Sequence, residues 1–140
     1  MRLVLDSDAV VGALRSPAGA SAALLGLALD GEVTLLANVA LVLEYEAVCR
    51  RPEHVAASGL TAAEVDMFVD ALAALAEPVE SHFVWRPQLR DASDEMVLEA
   101  AVNGRADAIV TFNRRDYATA PQRFGVAVWL PRDALRRARR

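Results

Sequence analysis

The chain has 140 residues, 54% of them hydrophobic and 24% charged, which is enough for one self-sufficient core and too apolar for a disordered segment. A net charge of −4 and a pI near 5.1 exclude a protein that coats nucleic acid through bulk electrostatics. All fifteen basic residues are arginine, which excludes P-loop nucleotide binding and every chemistry that needs a lysine amine.

The single cysteine, Cys49, rules out an internal disulfide and a thiolate zinc cluster, and a reducing cytoplasm is the expected compartment. No membrane segment is expected. The first apolar run stops at Asp6, and Ala20 to Leu29 is about half of the ~20 residues needed to cross a bilayer.

No repeat, linker or composition shift divides residues 1–140, which read as a single domain. Leu3-Val4-Leu5 is a short apolar run that suits a buried parallel strand. Helices follow over Ala9 to Leu14 and, beyond Pro17 and Gly19, over about Ala20 to Leu29. Asp30-Gly31 stops the second helix, and Glu32 to Leu36 alternates as a strand. Asn38 offers an N-cap for a helix to about Arg51, where Pro52 ends it. Thr61-Ala62-Ala63-Glu64 has the form of a capping box and opens a helix from about Ala62 to Ala76, which Pro78 breaks.

Weak strand character runs from Val79 to Val84, and a helix from about Asp94 to Asn103 is closed by Gly104. Ala108 to Thr111 and Val126 to Leu130 read as the last strands, before a terminal helix from Arg132. Strands separated by helices imply right-handed parallel crossovers, hence an α/β fold: a three-layer α/β/α sandwich around a central parallel sheet of four to five strands. Ligands in such sheets bind outside the carboxyl ends of the strands. Asp6 and the segment from Asn113 to Asp116 fall there.

Four pairs of acids stand at strand ends or on a helix beside one: Asp6 and Asp8, Glu44 and Glu46, Asp91 and Asp94, Asp107 and Asp116. Each has a plain structural reading. Asp8 is placed to cap the helix beginning at Ala9. Asp91 and Asp94 are three apart, as in a capping pair. Glu44 and Glu46 cannot share a helix face. Asp107 suits a turn on the far side of the sheet, Asp116 can cap the turn around Tyr117, and Thr111 can be an ordinary strand residue. Cys49, Met67, Met96, Phe68, Trp85 and Trp129 read as packing residues.

Four segments in order, Val4-Leu5-Asp6-Ser7-Asp8-Ala9-Val10, Leu43-Glu44-Tyr45-Glu46, Arg90-Asp91-Ala92-Ser93-Asp94-Glu95-Met96 and Ile109-Val110-Thr111-Phe112-Asn113-Arg114-Arg115-Asp116-Tyr117, resemble the signature segments of PIN domains. The resemblance spans essentially the whole chain and is closest to the branch of toxin components of toxin–antitoxin pairs. It implies that Asp6, Glu44, Asp94 and Asp116 are catalytic, metal-binding acids for Mg²⁺ or Mn²⁺. It also implies that Thr111 and Asn113 hold those carboxylates by hydrogen bonds, with Asp91 and Asp8 beside them. The family usually has asparagine where this chain has Asp8, so the site carries an extra charge or uses Asp8 as a helix cap.

The chemistry implied is metal-dependent hydrolysis of RNA, in which divalent ions make water nucleophilic and offset the charge developing on phosphorus. Hard cations take carboxylate oxygens from separate elements, and His54 and His82, away from the matched segments, have no part in it. Arg114 and Arg115 flank the site and are candidate RNA contacts, with a solvated pair as the alternative. The tail Arg136-Arg137-Ala138-Arg139-Arg140 complements a helix carboxyl end and is a weaker candidate. The partners implied are an RNA substrate, a cognate antitoxin protein and a second copy in a homodimer. A receiver-type phosphoacceptor domain would need a lysine beside its acids and is excluded. The remaining alternative is a catalytically weak PIN-like module that binds RNA or protein.

Overall fold

A computed structural model of the protein describes residues 1–80, 89 and 91–140. The expected parallel sheet is present, with five strands in the order β3-β2-β1-β4-β5. They are β1 (Arg2–Leu5), β2 (Thr34–Ala37), β3 (Glu77–Pro78), β4 (Ala108–Val110) and β5 (Ala127–Trp129). All pairings are parallel. β1 is central, with Leu3 opposite both Leu35 and Ala108. Leu3, Val4 and Leu5 are all buried, because helices cover both faces of the sheet.

The helices are α1 (Ser7–Arg15), α2 (Ala20–Leu29), α3 (Val39–Cys49), α4 (Pro52–Ser58), α5 (Ala62–Leu75), α6 (Ala92–Asn103) and α7 (Pro131–Ala138), with short 3₁₀ turns at Arg114–Tyr117 and Pro121–Phe124. α6 packs on β1, β2 and β4, while α1 packs on β1, α2, α3 and α4. This is the three-layer α/β/α arrangement. Among the described residues no single helix is long and apolar enough to cross a membrane; α1 and α2 pass that test only as a pair bent by 96°.

Several boundaries differ from the sequence reading, each for a local reason. α1 begins at Ser7, not Ala9, because Asp6 is its N-cap and accepts from the Ser7 N–H at 2.7 Å. Asp8 therefore does not cap this helix; it lies in the first turn. β2 begins at Thr34, not Glu32. Gly31 takes a left-handed φ of 78°, which lets the Glu32 N–H turn back to Leu27 O at 2.9 Å. Such a closure satisfies the last carbonyls of α2 and delays the strand by two residues.

The helix from Asn38 stops at Cys49, and Pro52 then opens a further helix, α4, that the sequence reading did not foresee. Proline has no N–H to lose at a first helical position. The capping box of Thr61 and Glu64 is formed in both directions. A two-residue strand, β3, forms at Glu77–Pro78, a proline being tolerated on an edge strand, whereas Val79 and Glu80, the described start of the strand expected to Val84, are in no strand. Residues 81–84 of that expectation lie outside the described residues, as do His82, Trp85 and Arg90.

Sheet order decides where a site can form. Successive connections from β1 run to β2 and β3 on one side, and the chain then crosses to β4 and β5 on the other. The reversal leaves a crevice at the carboxyl ends of β1 and β4. Asp6 follows β1, and its N–H still donates to Val110 O at 2.9 Å. Thr111 follows β4, its N–H bound to Trp129 O at 3.0 Å.

Candidate active site

Asp6 and Thr111 meet across that crevice. Thr111 Oγ1 donates to Asp6 Oδ2 at 2.9 Å, and the Tyr117 hydroxyl donates to the same oxygen at 2.9 Å. The other oxygen of Asp6 takes the Ser7 N–H. Asp6 and Thr111 are buried, and Tyr117 is fully so. An ionised carboxylate survives such burial only when its lone pairs are filled. Burial, followed by the charges of Asp6 and Asp94, raises the Tyr117 phenol far above its ordinary value, so it serves as a permanent donor.

Asp8 shares that Thr111 hydroxyl with Asp6, its Oδ2 lying 3.1 Å from Thr111 Oγ1, and accepts from the Phe112 N–H at 3.1 Å, tying α1 to the loop after β4. Burial, and then the charge of Asp6, pushes the Asp8 carboxyl up to about 6. It is thus the partner of the Thr111 loop.

α6 supplies the next acid. Asp91 is the N-cap, accepting from the Ser93 N–H at 2.8 Å, so Asp94 does not open the helix but sits in its first turn. Asp94 is buried. Burial, followed by the charges of Asp6, Asp91 and Asp116, pushes its carboxyl up to about 7, with the Tyr117 hydroxyl opposing the shift. Ser93, next in the chain, donates its hydroxyl to Glu44 Oε1 at 3.1 Å, which brings α3 to the same end of α6. Glu46 instead faces Arg50 at 3.5 Å.

Asp116 lies on the exposed 3₁₀ turn after β4, with its N–H on Asn113 O at 3.1 Å. Asn113 does not hold a carboxylate among the described residues; its own N–H supports Thr111 Oγ1 at 3.0 Å. Arg114 and Arg115 are exposed on the same turn and line a cavity of about 610 Å³. Asp107 is on the far side, accepting from the Arg2 N–H.

The PIN-domain family profile matches residues 2–115, most of the chain. The chain belongs to the PIN-domain family. Members of this family are generally nucleases that use divalent metals. No curated protein and no solved structure matches the chain. The matched PIN region stops one residue before Asp116.

Among the described residues no three His, Cys, Asp or Glu side chains converge closely enough, as they stand, to hold one ion. Thr111 and Tyr117 bond one oxygen of Asp6, and Ser93 bonds one of Glu44. The donor set of this PIN domain still suits a hard divalent cation. It is made of carboxylate oxygens, and two carboxyls are raised first by burial and then by neighbouring like charges that a cation would offset.

Sequence reasoning missed Tyr117 and Ser93. Both stand directly beside a candidate acid, Asp116 and Asp94 respectively, and a hydroxyl adjacent to such an acid was the available signal.

Proposed function

We propose that the protein is a Mg²⁺- or Mn²⁺-dependent endoribonuclease in which Asp6, Glu44, Asp94 and Asp116 hold the metal. The observation that carries this reading is Asp94: a buried carboxylate in the first turn of α6, its proton affinity raised first by burial and then by the charges of Asp6, Asp91 and Asp116. Like charges gathered at the switch point of a parallel sheet destabilise the empty fold, and a functional site is the usual reason for such an arrangement.

The chain's own residues have distinct tasks. Asp6 is fixed by Thr111 and Tyr117 so that its carboxylate cannot swing away. Ser93 steers Glu44 toward the start of α6. Arg114 and Arg115, on the turn that carries Asp116, hold substrate phosphate. A bound divalent cation lowers the proton affinity of attacking water and offsets charge on the phosphorus.

RNA as substrate and a toxin role are supported by the resemblance of the four acidic segments to toxin components. With that role come a cognate antitoxin that masks the acids, a homodimer and a cytoplasmic setting, which the single cysteine suits. Growth arrest on induced expression, relieved by co-expression of a small protein encoded upstream, is the expected result; unimpaired growth with no such neighbour points to RNA processing instead.

Purified protein incubated with RNA and Mn²⁺ tests the enzyme directly. Cleavage that is lost in Asp6→Asn and Asp94→Asn supports it. Intact RNA with binding retained supports the alternative module, which the extra acid Asp8, sharing Thr111 with Asp6, keeps in view.

A further inference from the structure

Phe112 lies between Thr111 and Asn113, and 54% of it is exposed, although its N–H is tied to Asp8. Its ring is the common wall of two concavities. One is the cavity of about 610 Å³ lined by Arg114, Arg115 and Gln122. The other, of about 410 Å³, is largely apolar and is lined by Gly12, Ser21 and Arg132. Leu130 borders both.

Two features indicate that the ring occupies a built seat. Gly12 falls in the middle of α1, where alanine would favour the helix. A Cβ there would come within 2.9 Å of Phe112 Cε2 and 3.2 Å of Ser21 Oγ. The missing side chain is therefore what lets the ring lie on α1. Ser21 is 4% exposed, and its Oγ has no hydrogen-bond partner among the described residues. That hydroxyl is closed off from solvent beside Gly12, so the ring rests on a dry, tightly packed floor.

The geometry points to Phe112 as a stacking platform for one unpaired base of a single-stranded RNA, the base lying on the exposed face of the ring and the adjoining phosphates toward Arg114 and Arg115. This inference rests on the nuclease reading and narrows its substrate to RNA with an unpaired base beside the cleaved bond. Base and aromatic ring stack without strong sequence preference, because every base has a flat face. An arginine-lined phosphate track alone gives no reason for an exposed phenyl ring at its edge. The link from the Phe112 N–H to Asp8 couples the seat to the acids: a base resting on the ring places its neighbouring phosphate beside them. Phe112 is thus a positioning residue, not a catalytic one.

The test uses the full chain carrying Asp94→Asn, so that substrate persists, and short single-stranded RNAs with 2-aminopurine at successive positions. Fluorescence should be quenched at one or two neighbouring positions. Phe112→Ala should abolish that quenching and weaken binding about tenfold, while Phe112→Trp keeps both. Gly12→Ala, which leaves the ring in place of sequence but pushes it off its seat, should reduce quenching in a protein that remains folded. Equal affinity of Phe112→Ala and its parent, or undiminished quenching, overturns the inference; an apolar side chain of a protein partner filling the seat would give that same equality. Failure of the wild type to cut RNA with Mn²⁺ would remove the nuclease reading and leave the quenching result to decide this one.

Discussion

Tyr117 donates its hydroxyl to Asp6 Oδ2 at 2.9 Å, so the residue after the last candidate acid orients the first one, 111 positions earlier in the chain. Thr111 bonds the same oxygen, and together they fix a carboxylate that would otherwise rotate away from its neighbours. Partners that orient metal-binding groups commonly change affinity or activity by about 10- to 100-fold when removed.

Tyr117→Phe tests this directly. The ring remains to fill its buried space, and only the hydroxyl is lost. Metal-dependent cleavage should fall about 10- to 100-fold, with a stability cost of about 1.5–3 kcal/mol for a hydrogen bond to a charged group. Cleavage assays and urea unfolding on the same preparation measure both. A variant as active as the wild type would show that Asp6 needs no such support.

The raised carboxyls make a pH prediction for the metal-free protein. An unfolded aspartate titrates near 3.8, whereas folded Asp8 and Asp94 titrate at about 6 and about 7. Between those limits the folded chain binds more protons than the unfolded one, so stability falls as pH rises. In chelator, the unfolding free energy should decline from about pH 4 to pH 7, and Asp94→Asn should flatten the decline and stabilise the protein at neutral pH. A profile that rises through this window contradicts the gathering of like charges.

Millimolar Mn²⁺ or Mg²⁺ should offset those charges and raise the melting temperature at pH 7, since a ligand that binds only the folded state stabilises it. Asp6→Asn should remove most of that increase. Thermal unfolding with and without the ion measures the shift; superimposable wild-type curves would weigh heavily against the site.

Asp8→Asn restores the residue that PIN domains usually carry. An asparagine oxygen can still accept from Thr111 Oγ1 and the Phe112 N–H, which Asp8 holds at 3.1 Å each. Cleavage should be retained and metal-free stability at neutral pH increased. Loss of cleavage would instead make the Asp8 charge part of the reaction.

The parts of the fold legible in the sequence were those where local chemistry and tertiary packing agree. Leu3-Val4-Leu5 read as a strand because every position on a doubly covered parallel strand is apolar. Thr61 and Glu64 read as a helix start because their reciprocal bonds are local. Asp8 suits a cap by type and position, but the helix starts two residues earlier and Asp6 caps it, one carboxylate serving both as cap and as candidate site acid. α4 was hidden because Pro52 served as both a stop signal and a first helical residue.

For the site, the resemblance pointed to the acids, and position along the chain said nothing of their mutual contacts. Ser93 with Glu44 and Tyr117 with Asp6 are separated by 49 and 111 residues. Side-chain bonds of that range exist only once the sheet order is known.

Manganese-soaked crystals of the wild type, read by anomalous diffraction, test the central claim most directly. An anomalous peak bonded to carboxylate oxygens of Asp6 and Asp94, with Asp116 and Glu44 turned toward it directly or through water, is the predicted result. No peak among these four at millimolar Mn²⁺, or one confined to acids elsewhere on the surface, would contradict it.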